Sequence, residues 1–102
     1  MRIISATTIR TWAREKAGAA TSLLGWMASA KGANWHTLED VRRTYPHADP
    51  VGVASGKTVT IFNIAGNKYR LITAIHYNTG TIYALLFMTH AEYSKNRWKE
   101  KL

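Results

Sequence analysis

Apolar and polar positions along the chain follow two different periods, and the change falls near residue 57. Between residues 6 and 45 the apolar positions recur at spacings of three and four, the period of an amphipathic helix. Ile9, Trp12, Ala13, Lys16 and Ala17 keep that spacing, and Gly18 interrupts it. Ala20, Leu23, Leu24, Met27 and Ala28 resume it. They predict a second helix ending at Lys31-Gly32, a cation in the last turn and then glycine. The two predict an antiparallel helix pair. Ala33-Asn34-Trp35-His36 leads to a third, short helix. Thr37 is its candidate cap, with Asp40 three residues on, and Leu38, Val41 and Tyr45 form its apolar side. Pro46 stops it, and Pro50 keeps the next segment extended or turned.

Beyond residue 57 the pattern alternates. Thr58 to Ile64, Tyr69 to Tyr77 and Thr81 to Met88 are rich in β-branched and aromatic residues, which predicts strands. Ala65-Gly66-Asn67 and Asn78-Thr79-Gly80 are the turns between them. Sequential strands this close pair antiparallel. Arg2 to Ser5 is a candidate first strand. The prediction is an α+β fold: N-terminal helices packed on one face of a small antiparallel sheet, the other face partly open. No repeat or linker divides the chain, so residues 1–102 read as a single domain.

Charge sharpens this picture. Fourteen Lys and Arg against six Asp and Glu give a net charge of +8, which favours a polyanionic partner: RNA, DNA or an acidic protein. The chain has no cysteine, which excludes a disulfide framework, a cysteine zinc site and a thiol nucleophile. Glu15, Glu39, Asp40, Asp49, Glu92 and Glu100 are scattered, so the sequence predicts neither a metal site nor a cofactor. No apolar run reaches the roughly 18–20 residues of a membrane span, and the N-terminus lacks a signal-peptide core. Both predict a cytoplasmic protein with no membrane partner.

Within the basic half, Lys68 and Arg70 lie two residues apart and share a strand face with Ile72, Ala74 and His76. A guanidinium there can grip phosphate with two parallel hydrogen bonds. Taken alone, such a pair is more often a solvated polar face. His90 and Tyr93 follow the third strand. If a helical turn begins at His90, both rings lie on one side, where a histidine can move a proton. Taken alone, a histidine at the end of a strand is more often a cap or surface residue. Asn67 reads first as a turn former. Lys57, before the first strand of the meander, and Lys95, in the basic tail, are further candidates for RNA contact. His36 and His47 read as loop residues. Trp12, Trp26 and Trp35 read as helix packing, and Trp98 as a partner contact.

Two strings carry a resemblance. They are Phe62-Asn63-Ile64-Ala65-Gly66-Asn67-Lys68-Tyr69-Arg70-Leu71-Ile72 and Thr89-His90-Ala91-Glu92-Tyr93. Together, with Trp35 and Tyr45-Pro46-His47-Ala48-Asp49 upstream, they resemble the HigB toxins of bacterial type II toxin–antitoxin modules, over roughly residues 1–95. The resemblance implies a RelE-like fold and a metal-independent endoribonuclease, an mRNA interferase that commonly acts on the ribosome and inhibits translation. It implies a HigA-like helix-turn-helix antitoxin, through which alone operator DNA is contacted. By motif position, Arg70, His90 and Tyr93 are the candidate catalytic residues, and Lys68 and Asn67 contact RNA. Ala65 and Leu85 depart from the pattern, standing where members often carry glycine and arginine. Leu85 sustains the alternative: a non-catalytic basic module that binds RNA or ribosome, or a degenerate toxin retained for binding its antitoxin.

Overall fold

The computed structural model describes residues 1–102. Strand β1 (Arg2–Ile4) leads into helix α1 (Ala6–Glu15). A 3₁₀ turn at Ala17–Ala19 then opens into α2 (Ala20–Gly32). Helix α3 (Leu38–Thr44) precedes β2 (Asp49–Gly52), β3 (Thr58–Ile64), β4 (Tyr69–His76) and β5 (Thr81–Thr89). Helix α4 (His90–Ser94) and a 3₁₀ turn at Arg97–Lys101 close the chain. No helix is long and apolar enough to cross a membrane.

The five strands form one sheet in the order β1-β5-β4-β3-β2. The predicted meander β3-β4-β5 is antiparallel throughout. The sheet is nonetheless mixed rather than purely antiparallel, because β1 pairs parallel with β5, with Ile3 opposite Ile82. Two helices separate β1 from the meander in sequence, and a parallel pair requires such a crossover. Local alternation carries no signal of it.

One sheet face packs on the helices. Helix α2 contributes Leu23, Trp26, Met27 and Ala30, at helical offsets of three, four and seven. Leu24, which the periodicity placed on the same side, falls beside this stripe and is exposed. From α1 come Ile9 and Ala13, and the sheet supplies Phe62, Ile64, Leu71 and Ile82. Trp26 and Trp35 both pack on Phe62, with ring centroids 5.2 and 6.2 Å away. Each such buried side chain contributes about 1.5–3 kcal/mol by removal from water.

The opposite face is less open than the sequence suggests. Val53, Val59, Ile61, Ile72 and Trp98 form a second core there, flanked by Leu85, Leu86 and Met88. Trp98 is therefore not an exposed partner contact: it is buried at 3% exposure, folded back with the tail. The basic side chains around it had hidden this apolar role. Ile72 opposes Leu86 while Thr73 opposes Ala84, so Leu85 is the extra residue of a bulge in β5. Leu85 and Leu86 consequently turn to the same face and both join the second core.

Candidate functional site

The β3–β4 turn builds one side of the site. Ala65 and Gly66 both adopt left-handed backbone, with φ of 53° and 68°. Asn67 follows them and faces the next strand. There Arg70 donates from Nη1 to the carbonyl oxygens of Asn67 and Tyr69, each at 3.1 Å, and from Nη2 to the Asn67 side-chain oxygen. Asn67 is thus engaged in holding the guanidinium. Lys68 is an exposed turn residue, and its carbonyl accepts the His90 backbone N–H at 2.9 Å.

Arg70 is the only buried charged side chain, at 7% exposure. Burying a cation is costly unless it is paired or hydrogen-bonded. Its recorded partners are neutral oxygens, and the chain's one ion pair joins Arg43 to Asp40 elsewhere. The cation is therefore held in place without being neutralised. Three hydrogen bonds occupy part of its five-donor fork. Arg70 also lines a cleft.

Helix α4 builds the other side. Thr89 caps it, accepting from Glu92 N at 3.2 Å, while Glu92 accepts from Thr89 N at 3.2 Å. This reciprocal capping box, legible in Thr89-His90-Ala91-Glu92, starts the helix at His90. The Thr89 backbone N–H, then its hydroxyl, holds the Glu92 carboxyl below its ordinary value. His90 is exposed at the first turn. Tyr93, one turn on, has the Arg70 guanidinium against its ring, 5.6 Å from the centroid. Trp98 stacks on the same ring at 5.2 Å and 17°, and its indole N–H donates to the Tyr93 carbonyl at 3.1 Å. With its ring so engaged, Tyr93 offers its hydroxyl rather than a stacking face. Burial raises the phenol's pKa above its ordinary 10.0, and Asp49 raises it further, against an opposing effect of Arg70.

Arg70 and Tyr93 border a cleft of about 380 Å³, lined also by Arg42, Pro46, His47, Ala48, Asp49, Ile61 and Asn63. Arg42 donates from Nε to the Ala48 carbonyl at 3.0 Å, which ties α3 to the cleft wall. Asp49 and Asn63 carry no functional signal in the sequence alone, while His47 is a loop residue as expected and lines the cleft from there. Strand alternation places Asn63 on the same face as Ile61. Asp49 becomes a neighbour only through β2–β3 pairing.

The structure thus brings Arg70, Tyr93, Asn67, Lys68 and the start of α4 with His90 to one end of the sheet. Lys95 caps α4 at its C-terminus and lines a separate groove with Glu92 and Lys101. Lys57 stands apart from them. It precedes β3, at the opposite end of a strand of seven residues, roughly 20 Å away at strand rise. No three His, Asp or Glu side chains gather closely enough to hold a metal ion.

Fold and site together define an α+β protein of RelE-like architecture with a cationic site at one end of its sheet. Residues 19–96 match the family model of the HigB toxin, described as the RelE-like toxic component of a toxin–antitoxin system. The chain belongs to this family, and an antitoxin is its implied partner. No curated protein matches it at a significant level.

Proposed function

We propose that this toxin is a metal-independent endoribonuclease that cleaves mRNA on the ribosome and so inhibits translation, and that a HigA-like helix-turn-helix antitoxin restrains it. The observation that carries the reading is the buried, unneutralised guanidinium of Arg70 at the mouth of a cleft, beside a protonated phenol. The substrate's ribose 2′-hydroxyl attacks the adjoining phosphorus and expels the 5′-oxygen. Arg70 stabilises the charge that develops on the phosphorane oxygens, where a fixed cation in a poorly hydrated site acts most strongly. Tyr93, holding its proton at neutral pH, donates it to the leaving 5′-oxygen. His90, exposed at the first turn of α4, accepts the 2′-hydroxyl proton. Lys68, and less directly Lys95, hold neighbouring phosphates, with Asn67 orienting Arg70. Products end in a 2′,3′-cyclic phosphate or the 3′-phosphate derived from it.

The test is primer extension on transcripts translated on ribosomes in the presence of purified protein, with the metal requirement read separately on ribosome-free transcripts in EDTA. Tyr93→Phe, which keeps the ring, and His90→Ala are each expected to slow cleavage roughly 10²–10⁴-fold. Arg70→Ala is expected to cost most, and Lys68→Ala less. Cleavage of ribosome-free transcripts that EDTA abolishes refutes the metal-free mechanism, and full activity in the Arg70 and His90 variants moves the site elsewhere.

Leu85 favours a second reading. It makes β5 apolar where RelE-like members often carry arginine, and it is packed into the second core. A degenerate toxin retained for antitoxin binding would leave transcripts intact while still binding the antitoxin.

A further inference from the structure

The cleft beside Arg70 contains a group that phosphate binding does not use. Asp49 lines it, is exposed, and takes no part in the chain's one ion pair. A carboxylate repels the phosphates that Arg70 attracts, and when ionised it only accepts hydrogen bonds. Its chemistry fits the donors of a nucleotide, which are the ribose hydroxyls and the edge of a base, and its distance from Arg70 favours the base over the sugar next to the held phosphate.

The sheet register sets the spacing. Asp49 faces Ile61 across the β2–β3 ladder. Asn63 lies two residues further along β3, on the same face, directly opposite Arg70 on β4. Asp49 and Asn63 are therefore diagonal neighbours, about 7–8 Å apart. Asp49 is two strand spacings, about 10 Å, to the side of Arg70 and two residues, about 7 Å, along the strands from it, so their backbone positions are roughly 12 Å apart and both side chains reach inward over the cleft. One nucleotide covers that span from its phosphate to the far edge of its base. The 380 Å³ cleft falls within the size range of small-ligand sites.

We propose that this cleft is a base-reading subsite for guanine: Asp49 accepts the N1–H and N2–H donors of its Watson–Crick edge, the Asn63 amide donates to O6, and Arg70 holds the adjoining phosphate. Guanine alone among the RNA bases presents two neighbouring N–H donors on that edge, so an unpaired carboxylate selects it. The inference rests on the ribonuclease reading for its substrate, and it gives that reading a sequence preference.

Two measurements separate the claims. The wild-type protein is titrated with the four ribonucleoside 3′-monophosphates, followed by backbone amide chemical shifts. Cleavage positions on a transcript of mixed sequence are mapped in parallel. Both are repeated with Asp49→Asn and Asn63→Ala, whose amide spectra also report that the fold is retained. The guanosine nucleotide is expected to bind tightest and to shift residues around Asp49. Asp49→Asn is expected to reduce that preference, and cleavage at guanosine relative to other sites, by roughly 10- to 100-fold. Equal affinity of the wild type for all four nucleotides overturns the proposal. So does an Asp49→Asn variant that keeps the wild-type ratio of sites, including one slowed uniformly at every site. If nothing is cleaved but guanosine selectivity is present and depends on Asp49, the subsite stands and the ribonuclease reading falls.

Discussion

Ala65 carries a conformational load that its own Cβ creates. Its φ of 53° lies in the left-handed region, where Cβ crowds the following carbonyl at a cost of about 1–2 kcal/mol for a residue other than glycine. Gly66 adopts the same region freely. The Ala65 strain persists because the turn it helps form aims Asn67 at Arg70. Ala65→Gly should therefore raise stability by about 0.5–1 kcal/mol in chemical denaturation, with the Arg70 clamp unchanged. A loss of stability would mean that the Ala65 methyl, which packs against the helix-side core, outweighs the backbone strain. Glu92 makes a second residue-scale case. Its folded-state pKa is held below the ordinary 4.5 by Thr89. The stability it contributes is present above about pH 4.5 and is lost as pH falls through the lowered value. Because Glu92 is exposed, the effect is modest. Glu92→Gln should flatten the acid limb of a stability–pH curve while lowering stability slightly at neutral pH.

At the scale of elements, the short helix α4 cannot hold itself. Five residues are too few for an autonomous helix, so its position depends on its cap, the β4–β5 end and the tail. Trp98 supplies the tail's anchor. It inserts beside Ile61 and Ile72 and stacks on Tyr93, while the Lys99 carbonyl accepts the Ala54 N–H at 3.1 Å and closes the tail over the sheet. Trp98→Ala should destabilise by about 3–5 kcal/mol, as large buried aromatic side chains do. Trp98→Phe keeps a stacking ring and should retain most of that stability while losing the indole bond to the Tyr93 carbonyl. If Tyr93 serves the reaction through its position, cleavage should follow the same order of variants. Thermal unfolding beside a cleavage assay checks both.

Over the whole molecule, the charge of +8 is spread over exposed side chains, with Arg70 the sole buried member. RNA affinity should therefore fall steeply as salt rises, because every neutralised phosphate releases counterions. The logarithm of the association constant should decline linearly with that of salt concentration. Arg70→Ala should flatten the slope by about one phosphate contact, slightly less than one unit for single strands. Affinity that is flat between low and physiological salt would contradict a phosphate-driven interface.

The three larger helices, the strands and turns of the meander and the candidate residues Arg70, His90 and Tyr93 could be read locally, whereas strand β2 could not. Each depends on spacing over a few positions: a period near three and a half, an alternation of two, or a short string resembling a known family. The tertiary structure decided what joins across long separations. β1 enters the sheet beside β5 in parallel, Trp98 folds back to become core, and Asp49 on an edge strand meets Asn63 and Arg70. Those outcomes depend on pairing register and on which apolar surfaces find each other, and neither is encoded in any single segment. The same applies to the state of Arg70. Its residue type was legible as a phosphate binder, but its burial, its neutral clamp and its contact with Tyr93 arise only when the turn and α4 close around it.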